Sequence, residues 1–166
     1  MRIPTRRSDK IPRQKADGRI TEAKYRELEN ERERLLKMVR PRLIEEVKRL
    51  ASDGDFSENA AYQIAKGRLR GINQRLLNVE DLLKRSEIIH PSANRETVQI
   101  GHEVTIEAGG KQRIYQILGS AESDPAGGII SANSPLGAAL LGRRAGEIVA
   151  TRLAGKTLEY KIIKIG

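Results

Sequence analysis

Apolar positions recur at helical spacing through the first half of this chain and at strand spacing through the second. Tyr25, Leu28, Leu35, Val39, Leu43, Val47 and Leu50 stand three, four or seven apart. That stripe predicts a helix capped by Thr21 and running to about Ser52. Pro41 falls inside it. A mid-helix proline removes a backbone hydrogen bond and crowds the preceding turn, so a kink or restart is predicted there. Tyr62, Ala65, Leu69, Ile72, Leu76, Val79 and Leu83 then alternate at three and four, a heptad seam. Two striped helices joined by a short polar segment fold back as an antiparallel hairpin. With about 30 residues per arm at ~1.5 Å each, the rod is roughly 45 Å long, and residues 53–59 form its tip.

The period changes after His90-Pro91, where a domain boundary is expected. VTIEA from Val104 and RIYQIL from Arg113 flank Gly109-Gly110 as a hairpin, and GGIIS from Gly127 adds a short strand. Ser134 and Pro135 make an N-cap and first-turn pair for a short helix that Gly142 can end. EIVATRL and TLEYKIIKI pair around Ala154-Gly155-Lys156. The predicted class is α+β: a helical hairpin over 20–90, and a small twisted antiparallel sheet with one helix over 91–166.

Charge sharpens this division. The 166 residues hold 31 Lys plus Arg against 22 Asp plus Glu, a net charge of +9. Most of the excess lies before residue 91. Such a balance points to nucleic acid or an acidic partner surface, with mere solubility as the bland alternative. Residues 1–19 are basic and poor in apolar side chains, and read as a disordered tail. The absence of Cys excludes disulfides, thiolate metal sites and a Cys nucleophile, and fits a reducing cytoplasm. No apolar run reaches membrane-spanning length, and no secretory signal opens the chain.

The tip inverts the sign of its surroundings. DGDFSENAAY, residues 53–62, holds three carboxylates and the only Phe, with no Lys or Arg between Arg49 and Lys66. Asp55 and Glu58 stand three apart, able to face one side of a helical turn. Beside Ser57 and Asn59 they form a hard-oxygen set suited to Mg²⁺. The same spacing is also a capping box, and acids favour a helix N-terminus in any case. A closed calcium loop fails, because Glu58 stands where such a loop needs Gly and Ile64 where it needs Glu. Any metal held here is shared with another molecule. Lys66, Arg68, Arg70 and Arg75 follow along the shaft, either as a phosphate-binding patch or as a solvated helix face.

These residues resemble the bacterial transcript-cleavage elongation factors of the Gre family. GDFSENAAY matches the family's tip motif, and TEAKYRELENERERLLKMVRPR from Thr21 resembles its first helix. RIYQILG, IISANSPLGAALLG and GEIV resemble its C-terminal domain. The resemblance covers about residues 20–165. It implies an FKBP-like C-terminal domain and a monomeric cytoplasmic protein that binds RNA polymerase and inserts its hairpin through the secondary channel. Asp55 and Glu58 then help hold the second catalytic Mg²⁺, supported by Ser57 and Asn59. The polymerase, rather than this chain, cleaves the 3′ end of backtracked RNA. By the same resemblance Lys66, Arg68, Arg70 and Arg75 contact RNA, and Asn133, Ser134 and Pro135 contact the polymerase's largest subunit. Phe56 is expected as a contact inside the channel. The competing readings are a channel-binding regulator without cleavage, an unrelated nucleic-acid-binding coiled coil, and, last, a free-standing nuclease.

Overall fold

The computed structural model describes residues 17–52, 60–153 and 156–166. The first arm of the hairpin is α1 (Glu22–Arg34), a π-helical segment (Leu35–Val39) and α2 (Arg40–Ser52); the second is α3 (Ala60–Lys84). At Pro41, where a kink or restart is expected, the helix continues without a gap. Instead, the preceding turn widens, and the Arg40 N–H donates to the Leu35 carbonyl. A π-bulge accommodates a residue that cannot complete the regular ladder, here the proline lacking an N–H.

Both predicted stripes face each other. Leu28 and Leu35 from the first arm, and Ala65, Leu76 and Val79 from the second, are buried. No residue of α2 is fully buried. Two helices alone leave one side of their seam open, whereas at the base further elements close over it. There Ile20, Leu28 and Val79 form a cluster with Tyr25, Leu82, Leu83 and Ala121, the last contributed by the C-terminal half. Polar contacts also cross the rod. Arg40 Nε donates to Asn73 Oδ1 at 2.9 Å. Arg75 grips Glu31 with both ends of its guanidinium, at 2.7 and 2.8 Å.

The C-terminal half is a five-stranded sheet of order β5-β4-β3-β7-β6. Its strands are β3 (Glu103–Ala108), β4 (Lys111–Leu118), β5 (Ile129–Ser131), β6 (Ile148–Leu153) and β7 (Lys156–Ile165). The β3–β4 hairpin turns on Gly109-Gly110, both with positive φ, as a two-residue primed turn requires. The sheet expected to be wholly antiparallel is mixed, because β4 and β5 run parallel. Parallel neighbours need a crossover. The chain makes it through a 3₁₀ turn, Ser120–Glu122, that reaches the base of the hairpin before returning. Helix α4 (Pro135–Leu140) starts with the predicted cap: Ser134 accepts from the Gly137 N–H. It buries Leu140 against Val104, Ile117, Val149 and Ile162.

The two halves meet at a junction that the sequence did not announce. Asp17–Arg19, assigned to a disordered tail, are built into it; the rest of that tail, residues 1–16, lies outside the described residues. Short strands β1 (Arg19–Ile20) and β2 (Glu87–Ile88) pair in parallel. Thr21 caps α1 by accepting from the Lys24 N–H. In return, the Thr21 N–H and hydroxyl donate to the two carboxylate oxygens of Glu122, at 2.6 and 2.7 Å. A capping box usually takes its acid from three residues onward. Here that position is Lys24, and the acid comes from the other domain. Asp17 accepts from the Ser120 N–H at 2.8 Å and from the Asn133 amide at 2.9 Å. Gly119 lies so near the strand that an added Cβ would stand 1.7 Å from the Arg19 carbonyl oxygen.

Two outcomes follow for stability. Gly119→Ala forces two backbones apart and should lower unfolding free energy by about 1–3 kcal/mol, read from the urea midpoint. The Arg75 guanidinium, chiefly through its hydrogen bond, holds the Glu31 carboxyl below its usual range. A depressed carboxylate contributes stability above its unfolded value and loses it as pH falls through the folded value. Glu31→Gln should therefore cost about 0.5 kcal/mol at neutral pH for this partly exposed pair. The difference from wild type should vanish on acidification below the usual Glu range, about pH 4.

Candidate functional site

The acidic segment, residues 53–59, falls in sequence between the ends of two described helices. α2 runs to Ser52, whose hydroxyl donates to the Lys48 carbonyl, and α3 begins at Ala60. Asp55, Phe56, Ser57, Glu58 and Asn59, the predicted metal set and channel contact, lie outside the described residues. Among the described residues no cluster of three or more His, Asp or Glu side chains stands as a candidate metal site.

The basic residues of the shaft divide into two groups. On a helix of 3.6 residues per turn, Lys66 and Arg70 share one flank of the Leu69 seam position, and Arg68 and Arg75 share the other. They do not form one face. Lys66 Nζ sits over the Tyr62 ring, 5.7 Å from its centroid. That is within range of a cation–π attraction. Arg75, read from sequence as an RNA contact, is committed to Glu31 across the hairpin. Its guanidinium is correspondingly held above its usual range by that bond. Arg68 and Arg70 are exposed, with no ion pair to any described residue.

The predicted polymerase-contact loop lies at the junction. Asn133 is exposed, yet its amide is tied to Asp17 and lies 3.5 Å from the Ser120 hydroxyl. Ser134 caps α4 and donates to the Ser131 carbonyl, and Pro135 opens the helix on the surface. Sequence reasoning missed Asp17 and Glu122, which hold this loop and the rod base together. Their partners are about a hundred residues away in the chain, and no local pattern marks them. His102, without a nearby nucleophile in sequence, is a fastener. Its ring accepts from the Gln99 N–H and donates to the Ser92 carbonyl, pinning the linker to the sheet.

Comparison with known proteins covers both halves. Residues 19–88 match the family described as "Transcription elongation factor, N-terminal", and residues 92–166 match "Transcription elongation factor, GreA/GreB, C-term". Transcription elongation factor GreA of Thermomicrobium roseum is 40% identical over 148 residues, 88% of this chain and 95% of that protein. The GreA of Macrococcus caseolyticus is 37% identical over 149 residues, 88% of this chain and 94% of its own. A solved structure, GreA factor homolog 1 (Gfh1) of Thermus thermophilus, is 25% identical and covers 89% of this chain and 97% of its own, with a TM-score of 0.42. With both domains matched in order and nearly the whole length shared, this chain belongs to the GreA/GreB family of transcription elongation factors.

Proposed function

We propose that this chain acts on RNA polymerase by inserting its hairpin into the secondary channel and stimulating the polymerase's own cleavage of backtracked RNA. The observation that carries the reading is GDFSENAAY at the join of two antiparallel helices, in a chain matched to the family in both halves. Phosphodiester hydrolysis by two metals needs carboxylates to hold the second ion and activate water. The donor set of the tip, carboxylates of Asp55 and Glu58 beside Ser57 and Asn59, suits Mg²⁺. It is too small for a closed site, so the ion is held jointly with the polymerase, and the chain is no nuclease alone. When bound, that ion supplies Lewis acidity and a more acidic water. This chain's Asp55 and Glu58 would help hold it and position the attacking water.

The shaft gives this reading its direction. Lys66 and Arg70, on one flank, are assigned to a phosphate backbone approaching the tip, with Arg68 on the other side. Arg75 stiffens the rod through Glu31 instead. Asn133, Ser134 and Pro135 form the surface offered to the polymerase's largest subunit, and Asp17 fixes the orientation of Asn133. Phe56 is assigned to contact inside the channel.

Stalled, backtracked complexes test this directly. The wild-type chain should shorten the RNA faster than polymerase alone, and Asp55→Ala with Glu58→Ala should return the rate to that of polymerase alone. Unchanged RNA, or stimulation that survives the double substitution, overturns the tip chemistry; slowed elongation without cleavage selects the regulatory reading. Lys66→Ala with Arg70→Ala should raise the concentration needed for half-maximal cleavage. It should also flatten the salt dependence, by about 0.7 in log–log slope for each phosphate of single-stranded RNA that is no longer neutralised. An unaltered slope removes these two residues from the RNA path.

A further inference from the structure

Helix α4 is six residues long and covers only one end of the sheet face on which it packs. A cavity of about 240 Å³ opens between the β3–β4 and β6–β7 hairpins. Its floor is apolar, made by Ile106, Ala108 and Leu158. Two of the chain's four tyrosines, Tyr115 and Tyr160, stand on its walls. Lys111 and Arg113 complete the lining.

The charge of this cavity is one-sided. Lys111 and Arg113 form no ion pair with any described residue. Among the described residues, the polar contact of Arg113 is a 3.5 Å bond to the Tyr115 hydroxyl, which leaves most of its five N–H donors unused there. Registry explains why no acid approaches. Directly paired residues share a face. The pairs Ile106–Arg113, Ala108–Lys111 and Val104–Tyr115 put only apolar, aromatic and basic residues on this side. Glu107 pairs with Gln112 on the other face. Next to the cavity, Thr151 pairs with Leu158 across β6 and β7. Its hydroxyl is buried and has no hydrogen-bond partner among the described residues. An unpaired buried polar group is costly and calls for a partner.

We propose that this cavity binds a small organic oxyanion, a carboxylate or phosphate monoester carried on a flat apolar body. The apolar floor and the tyrosine rings take the body. The guanidinium and ammonium take the oxyanion, Arg113 with the fork geometry that suits either group. Convergent polar groups above an apolar concavity are the usual make-up of a small-ligand site. The site is on the sheet domain, whereas Asp55 and Glu58, the residues assigned to the metal, belong in sequence to the hairpin, so binding here is independent of the tip chemistry.

Tyrosine-selective isotope labelling of the full chain gives a direct readout, since only four tyrosines are present. Titration with phenyl phosphate and with benzoate should shift Tyr115 and Tyr160 saturably while Tyr25 and Tyr62 stay fixed, with a Kd of ~1 mM or tighter for the better probe. The tighter of the two identifies the head group. Arg113→Ala and Lys111→Ala alter exposed side chains and should each weaken binding about tenfold with the spectrum otherwise intact. Benzyl alcohol, lacking the charge, and inorganic phosphate, lacking the body, should bind far more weakly. The absence of a saturable shift overturns the proposal, as does equal binding of inorganic phosphate. Binding insensitive to Arg113→Ala, or shifts at Tyr62 on the basic shaft instead, overturns it as well.

Discussion

The Glu122 carboxylate on Thr21 is the interaction on which the arrangement of the molecule depends. It completes the N-terminal cap of α1 from the opposite domain, binding both the backbone N–H and the side-chain hydroxyl of one residue. Two charge-assisted bonds from one acid define a direction as well as a distance. Asp17 adds a second pair of anchors to Ser120 and Asn133, and Ala121 plugs the apolar base of the rod. A long two-helix rod is a lever. Small rotations at its base become large displacements at its tip, so the tip role proposed above depends on such an anchor.

The sheet topology is the consequence. β4 and β5 are parallel because the chain leaves the sheet between them to deliver Ser120–Glu122 to the hairpin. The close approach at Gly119 and the two-residue pairing of β1 with β2 serve the same seam. The polymerase-facing loop proposed at Asn133–Pro135 is continuous with it. Shaft, junction and the proposed partner surface thus form one connected unit, with the candidate anion cavity at the opposite end of the sheet.

Much of this is legible in the residues because it rests on local rules. The seam from Tyr62 to Leu83, the cap at Ser134 and the turn at Gly109-Gly110 each depend on periodicity or turn chemistry, and each stands where predicted. Pro41 reads as a breaker, but an isolated proline can be absorbed by a widened turn when the flanking helix is held by packing. The junction is illegible for a different reason. Asp17 looks like part of a basic tail, and Glu122 like one more loop acid. Their value comes from partners roughly a hundred residues distant, which one sequence does not reveal. Arg75 illustrates the same limit at the candidate site, since its place in a basic run says nothing of Glu31 on the facing helix.

A distance distribution between spin labels on the rod and on the sheet tests the anchoring role of Glu122 most directly. The chain has no Cys, so Arg49→Cys and Ala150→Cys, both at exposed positions, can be labelled without further change. The unaltered junction should give a single narrow distance, and Glu122→Ala should broaden it while the helical content of the rod is kept. A broad distribution with Glu122 in place, or one equally narrow after its removal, would contradict the account.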